Sequence, residues 1–225
     1  MSFIPTSWDD PYRAFRVNTL LVAAFLEVVK DHCPSARFYQ ASSSEFFGDP
    51  PSSPQNENTL HNSVTPCGVS KLAPHLLAGL YRRRYGMYVA SGILYNHESP
   101  RRQDYFVTQK IARAAAEIAL GRSEKLTLVN IDARRDWGFA GDYVLATGET
   151  HSIREYLQVA FPHVGLRWEE WVEIDPALLR PVDVGQLVGD PSKAKNFLGW
   201  RPVVNFPDLV HMMVDAQLER RKGAR

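Results

Sequence analysis

The sequence predicts an α/β protein organised on a doubly wound parallel sheet, and three stretches carry that prediction. Residues 37–41 (Arg-Phe-Tyr-Gln-Ala) are a short run of strand formers behind a long helical pattern. Residues 68–85 are rich in Leu, Ala and Arg and stop at Gly86, a glycine placed as a helix C-cap. Residues 88–95 are mostly apolar, as expected of a strand buried on both faces. Strands alternating with helices pack as a parallel sheet covered by its helices. Ligands then sit outside the carboxyl ends of the strands. Here those ends carry Ala41-Ser-Ser-Ser-Glu-Phe-Phe-Gly48 and Asn96-His-Glu-Ser99, and Lys71 stands near the start of the intervening helix.

The other elements follow in order. Residues 1–12 are expected to be a loop entering a helix. Over residues 13–30, Phe15, Leu20, Leu21, Ala24, Phe25 and Val28 recur at three- and four-residue steps. That spacing predicts a helix with these side chains on its buried face. Residues 48–66 hold Pro50, Pro51, Pro54 and Pro66 among Ser and Asn. They predict a long polar loop, either functional or a solvated connection. Residues 106–120 predict an amphipathic helix closed by Gly121, and residues 126–129 a short strand. Residues 141–148 read as a strand between glycines, and residues 151–161 as a helix with Ser152 at its N-cap. Helices near 191–198 and 206–220 end the chain, the last with Leu209, Met212, Met213 and Ala216 as its apolar stripe.

Composition narrows the class. A chain of 225 residues makes one large domain or two small ones. Hydrophobic residues at 44% and charged ones at 23% fit an ordinary globular protein. A net charge of +1 gives no reason to expect nucleic acid or an acidic membrane surface as partner. Cys33 and Cys67 make no disulfide framework, which favours a reducing compartment. No apolar run approaches the roughly 18 residues of a spanning helix. The N-terminus lacks the basic-then-apolar pattern of a leader. A cytoplasmic location is the expectation, and no metal is implied.

Two further motifs, Leu94-Tyr-Asn-His-Glu-Ser-Pro-Arg-Arg102 and Arg134-Arg-Asp-Trp-Gly138, join the strand-end run and Lys71. Together they resemble the GDP-mannose 4,6-dehydratase family of the extended short-chain dehydrogenase/reductase group, over most of the chain. The Asn-His-Glu-Ser-Pro-Arg-Arg run is the most specific part. The resemblance implies a partial Rossmann-like sheet with its N-terminal strands missing and a smaller C-terminal substrate-binding part. Residues 1–125 would be the C-terminal half of an NADP-binding domain, with residues 126–225 as the interleaved substrate-binding part. NADP is the implied cofactor and GDP-mannose the implied partner, and a homo-oligomer stays open. The implied reaction is an internal redox dehydration. The sugar C4 hydroxyl is oxidised by hydride transfer, the C5 proton is removed, water leaves C6, and the hydride returns there. The product is GDP-4-keto-6-deoxymannose.

Residue by residue, the resemblance gives Ser43 the C4 oxygen and Glu45 the C5 proton and the departing C6 hydroxyl. Lys71 would act in catalysis and hold the cofactor ribose. His97 and Arg102 match cofactor positions. Asn96, Val107, Lys110, Arg135 and Arg180 match positions near the nucleotide sugar, where a diphosphate asks for charge-assisted hydrogen bonds. Outside the motif, Glu45 would read as a solvent-facing carboxylate and Lys71 as a surface lysine. Ser42 and Ser44 are turn residues by type.

Three departures set the expectation for activity. The family's catalytic tyrosine, four residues before the lysine, is Cys67 here. A thiol near pKa ~8.5 is acidic enough beside a phenol near ~10, but its sulfur lies one bond from Cβ. A base must come within about 3 Å of its proton. Cys67 is expected to fall short, and its bland reading is a small buried apolar residue. The fourteen glycines include no G-x-G-x-x-G, so the family's N-terminal dinucleotide-binding half is expected to be missing and NADP binding by this chain alone weak. The stretch from Trp137 to Tyr143 reads as an internal deletion against the family. The expectation is an impaired or inactive dehydratase. The rival is a non-catalytic nucleotide-sugar-binding or assembly protein.

Overall fold

The computed structural model of the chain describes residues 4–142, 145–175 and 186–223. The chain divides into two compact units, Met1–Tyr95 and Asn96–Arg225.

The first unit opens with helices α1 (Ile4–Asp9) and α2 (Pro11–Phe15), where a loop was expected. The reason is local: Asp10 accepts the Arg13 N–H at 2.8 Å and Pro11 occupies the first helical position. A π-helical stretch, Arg16–Leu20, runs on into α3 (Leu21–His32). The predicted helix is there, but it faces differently. Leu26 is fully buried, with Val22 and Val29 beside it, in a cluster with Ala78, Met87 and Val89. Leu20, Leu21, Phe25 and Val28 are about half exposed. A helix apolar on several sides leaves periodicity unable to choose its buried face.

Strand β1 (Phe38–Ala41) pairs in parallel with β2 (Val89–Gly92), in register from Phe38↔Val89 to Ala41↔Gly92. Parallel pairing needs a crossover, and α4 (Pro66–Tyr85) supplies it. Thr65 starts α4 by accepting the Gly68 N–H at 3.0 Å, and Gly86 ends it at φ +65°. The loop before α4 is fastened rather than merely solvated. Gly48 bridges Asn62, and buried Gln55 accepts the Tyr95 hydroxyl at 3.3 Å. The strand expected over 88–95 ends at Gly92.

The second unit begins with β3 (Asn96–Glu98), which pairs in parallel with β6 (Trp137–Phe139). Strand β4 (Leu126–Leu128) pairs in parallel with β8 (Val172–Ile174). Strand β5 (Arg134–Arg135) lies between β7 (His151–Ser152), antiparallel, and β9 (Gln186–Leu187), parallel. Helices α5 (Val107–Ala119), α6 (Ile153–His163), α7 (Ser192–Leu198) and α8 (Phe206–Lys222) complete it. Ser152 caps α6 as expected, accepting the Glu155 N–H at 3.0 Å. The core sets Ile111 and Ala115 of α5 against Leu157 and Phe161 of α6 and Leu209 and Met213 of α8.

The strand expected over 141–148 is absent among the described residues. Ala140–Asp142 is a 3-10 turn, and Tyr143 and Val144 lie outside the described residues. The N–H groups of Thr147 and Gly148 are taken by the Asp136 carboxylate, not by a neighbouring strand. The parallel pairing on both units bears out the α/β class. Among the described residues, no helix is long and apolar enough to cross a membrane.

Candidate active site

β1 ends at Ala41 and the chain turns immediately. Ser43, in extended conformation, accepts the Glu45 N–H at 3.3 Å and starts the 3-10 turn Ser44–Phe46. Phe46 and Phe47 are fully buried, their rings edge to face at 4.7 Å. With both rings drawn inward, Glu45 stays half-buried at the rim. The start of α4 presses against it. A Cβ on Gly68 would lie 2.5 Å from the Glu45 carbonyl oxygen, so the approach requires glycine.

That approach brings Cys67 to Glu45, and Lys71 stands beside Cys67. The two sit one helical turn apart on one face. Burial pushes the Cys67 thiol up, the Glu45 carboxylate pushes it further, and the Lys71 ammonium opposes both. Burial holds Lys71 below the ordinary lysine range, against the pull of Cys67. Cys67 is 2% exposed, and its N–H donates to the Ser7 hydroxyl at 3.2 Å. The structure therefore gathers Ser43, Glu45, Cys67 and Lys71 at one corner. Sequence reasoning missed a fifth group there. Ser42 is 3% exposed and shares a 2.9 Å hydrogen bond with Nδ1 of His75.

The remaining named residues lie in the second unit. Asn96 and His97 are adjacent on β3, opposite Trp137 and Gly138. The Asn96 N–H donates to the Asp136 carbonyl at 3.1 Å, next to Arg135. Val107 opens α5 and packs on the core. Lys110, one turn on, donates to the Thr127 carbonyl at 2.7 Å, and burial lowers its pKa. Arg135 donates to the Arg134 carbonyl at 2.7 Å. Arg180 lies outside the described residues. Arg102 is held from two sides: Nε is 3.3 Å from Glu98 Oε2, and the guanidinium covers the Phe106 ring at 3.3 Å. Glu98 itself is 2% exposed and accepts the Thr108 hydroxyl at 2.7 Å. Burial pushes its carboxyl up to about 7, against Arg102 and Thr108. Asp136 was also missed. Its buried carboxylate collects the N–H groups of Thr147, Gly148 and Gly189 and the Thr147 hydroxyl, at 2.6–3.2 Å.

In the first unit, one side chain fits one end of a nicotinamide dinucleotide. Lys71 is a part-buried cationic donor suited to ribose hydroxyls. A pyrophosphate cradle is another matter. Each described glycine with positive φ follows a helix or lies in a loop, and none opens a helix.

Residues 1–213 match the family model described as GDP-mannose 4,6 dehydratase. The chain belongs to that family. It is 44% identical to GDP-mannose 4,6 dehydratase 1 of Arabidopsis thaliana, over 98% of this chain and 66% of that protein. The identity to GDP-mannose 4,6-dehydratase of Sinorhizobium fredii (strain HH103) is 37%, over 100% and 74%. Against the two Arabidopsis relatives the chain spans 66% and 64% of their length. Its fold matches RMD from Pseudomonas aeruginosa, solved with NADPH, at a TM-score of 0.90 and 22% identity, over 98% of this chain and 79% of that one. The UDP-glucose 4-epimerase of Thermus thermophilus, solved with NAD, gives 0.85 at 24% identity, over 100% and 76%. Those likenesses agree with the Rossmann-like α/β class of this dehydratase-family chain.

Proposed function

We propose that this chain handles GDP-mannose at the β1–α4 corner and carries the 4,6-dehydratase reaction in impaired form. The supporting observation is that Cys67 interacts with both Glu45 and Lys71 beside the Gly68 contact. In this reading Ser43 donates its hydroxyl to the sugar C4 oxygen. Glu45 takes the C5 proton and delivers it to the departing C6 hydroxyl. Lys71 holds a ribose hydroxyl of the cofactor, and its charge favours deprotonation of a neighbouring acid. NADP supplies the hydride acceptor and donor when bound.

Cys67 is the weak part. Its sulfur cannot span the gap that a phenol ring fills, and burial and Glu45 both keep the thiol protonated. General-base catalysis contributes about 10²–10⁴-fold, which is the size of the impairment. Asn96, Val107, Lys110, Arg135 and Arg180 serve the nucleotide sugar. Lys110 exchanges the Thr127 carbonyl for a phosphate oxygen. His97 and Arg102 serve the cofactor, Arg102 from its seat on Glu98. Residues 1–125 carry the cofactor side of this work and, through Asn96, Val107 and Lys110, part of the substrate side, with which residues 126–225 are interleaved.

Calorimetric titration with GDP-mannose and NADP, followed by a product assay, tests the proposal. Binding of the sugar nucleotide with slow turnover supports it. Failure to bind GDP-mannose at all ends it. The protonated thiol favours a second reading, nucleotide-sugar binding without turnover. Binding with no product, even from Cys67→Tyr, supports that one.

A further inference from the structure

We infer that His75 is a positioning residue, which sets the Ser43–Glu45 turn against α4 through its hydrogen bond to Ser42. The inference rests on the proposed use of Glu45 and adds to it a residue that no part of that chemistry assigns.

Cys67, Lys71 and His75 recur every four residues along α4, so they line one face. Cys67 meets Glu45, Lys71 stands one helical turn on beside Cys67, and His75 reaches under the Ser43–Glu45 turn. Ser42, buried directly before Ser43, has its Oγ 2.9 Å from Nδ1 of the part-buried His75. The turn is thus clamped twice by one helix: at Gly68, where the Glu45 carbonyl leaves no room for a Cβ, and two turns later at His75. The His75 ring also packs against Phe46 at 5.0 Å, and Phe46 is the buried anchor of the turn.

Three neighbours face the imidazole. His61 is 6.1 Å away between ring centroids, Arg82 lies further along α4, and the Phe46 ring covers one side. Burial, His61 and Arg82 all hold the ring below the ordinary histidine range, hence neutral. A neutral ring shares one hydrogen bond with the Ser42 hydroxyl through Nδ1, and that fixes the side on which Ser42 and the next two residues leave β1. If the bond were lost, the turn would keep its backbone anchors while Glu45 shifted relative to α4.

Cys67 reports such a shift without any turnover, because the Glu45 carboxylate raises its thiol pKa. The experiment follows the alkylation rate of Cys67 by iodoacetamide against pH in the full chain, by peptide mass spectrometry. Exposed Cys33 is the internal control. Access to the buried sulfur sets the plateau of the rate, and thiolate fraction sets its pH profile, from which the thiol pKa is read. Glu45→Gln should lower the thiol pKa and speed alkylation about three- to tenfold at neutral pH, since one pKa unit is tenfold. His75→Phe keeps a ring and removes the hydrogen-bonding nitrogen, and it should speed alkylation in the same direction. His75→Asn should restore the parent profile. The double variant His75→Phe/Glu45→Gln should add little to Glu45→Gln alone.

A parent-like profile for His75→Phe beside a shifted one for Glu45→Gln overturns the inference and spares the site. No shift for Glu45→Gln means that the carboxylate does not sense Cys67, and the proposed function goes with it. If His75→Phe fails to fold, Ser42→Ala removes the same bond from the other side and is judged by the same profile.

Discussion

Two strand ends in this chain carry a glutamate, and the two are held in different ways. At the end of β3, Glu98 is sealed in with its own counter-charge: Arg102 and Thr108 share one carboxylate oxygen, and Phe106 covers the guanidinium. Beyond β1, Glu45 is half-buried beside Cys67, which is paired in turn with Lys71, and neither of these two is at its ordinary pKa. The first arrangement keeps a segment in shape. The second sets a half-buried carboxylate beside a buried thiol. A buried acid with an internal cation is therefore a scaffold group here, although burial raises its carboxyl to about 7.

The largest test of that contrast is Cys67→Tyr. If the β1–α4 corner is the chemical one, a restored phenol beside Lys71 raises dehydration of GDP-mannose, in the presence of NADP, by about 10²–10⁴-fold. Product analysis reads the outcome, and an unchanged rate breaks the contrast. Next is Asp136→Ala, which strips the Thr147, Gly148 and Gly189 N–H groups of their acceptor. Each buried donor left unpaired costs about 1–3 kcal/mol. A loss of about 3 kcal/mol or more is expected in urea unfolding.

Glu98 gives a pH signature of similar or smaller size. Its carboxyl is raised from 4.5 to about 7 in the folded chain. Between those values the folded state binds more protons than the unfolded one, so stability falls as pH rises from about 5 to 7 and levels above it. The fall is at most about 3 kcal/mol. Glu98→Gln should flatten it across urea midpoints taken from pH 5 to 8. A slope that persists moves the scaffold role elsewhere. Smallest is Gly68→Ala, with a cost of about 1–3 kcal/mol for overpacking against the Glu45 carbonyl. It should also shift the Cys67 titration, because Glu45 must move.

The long elements were legible in the sequence because their signals are local. Gly86 and Ser152 mark helix ends whatever lies around them, and α4 and α6 stop and start there. Ser43, Glu45, Cys67 and Lys71 were named by the family resemblance that two short runs carry. The missing pieces depend on distant partners. His75 finds Ser42 across 33 positions, and Asp136 finds Gly189 across 53. Neither leaves a trace in its own neighbourhood. Asn96–Glu98 was hidden for another reason: a polar triplet does not look like a strand until β6 lies beside it. The outward face of α3 was misjudged because apolar residues lie on more than one of its sides.

The hydroxyl of Ser7 has a practical consequence. Helix α1 looks like an expendable leader of six residues, yet that side chain is fully buried and accepts the backbone N–H of Cys67. Trimming the first turn, or fusing an affinity handle tightly to it, disturbs the first turn of α4 from behind. Recombinant versions intended for enzymology should therefore carry their purification handle at the far terminus.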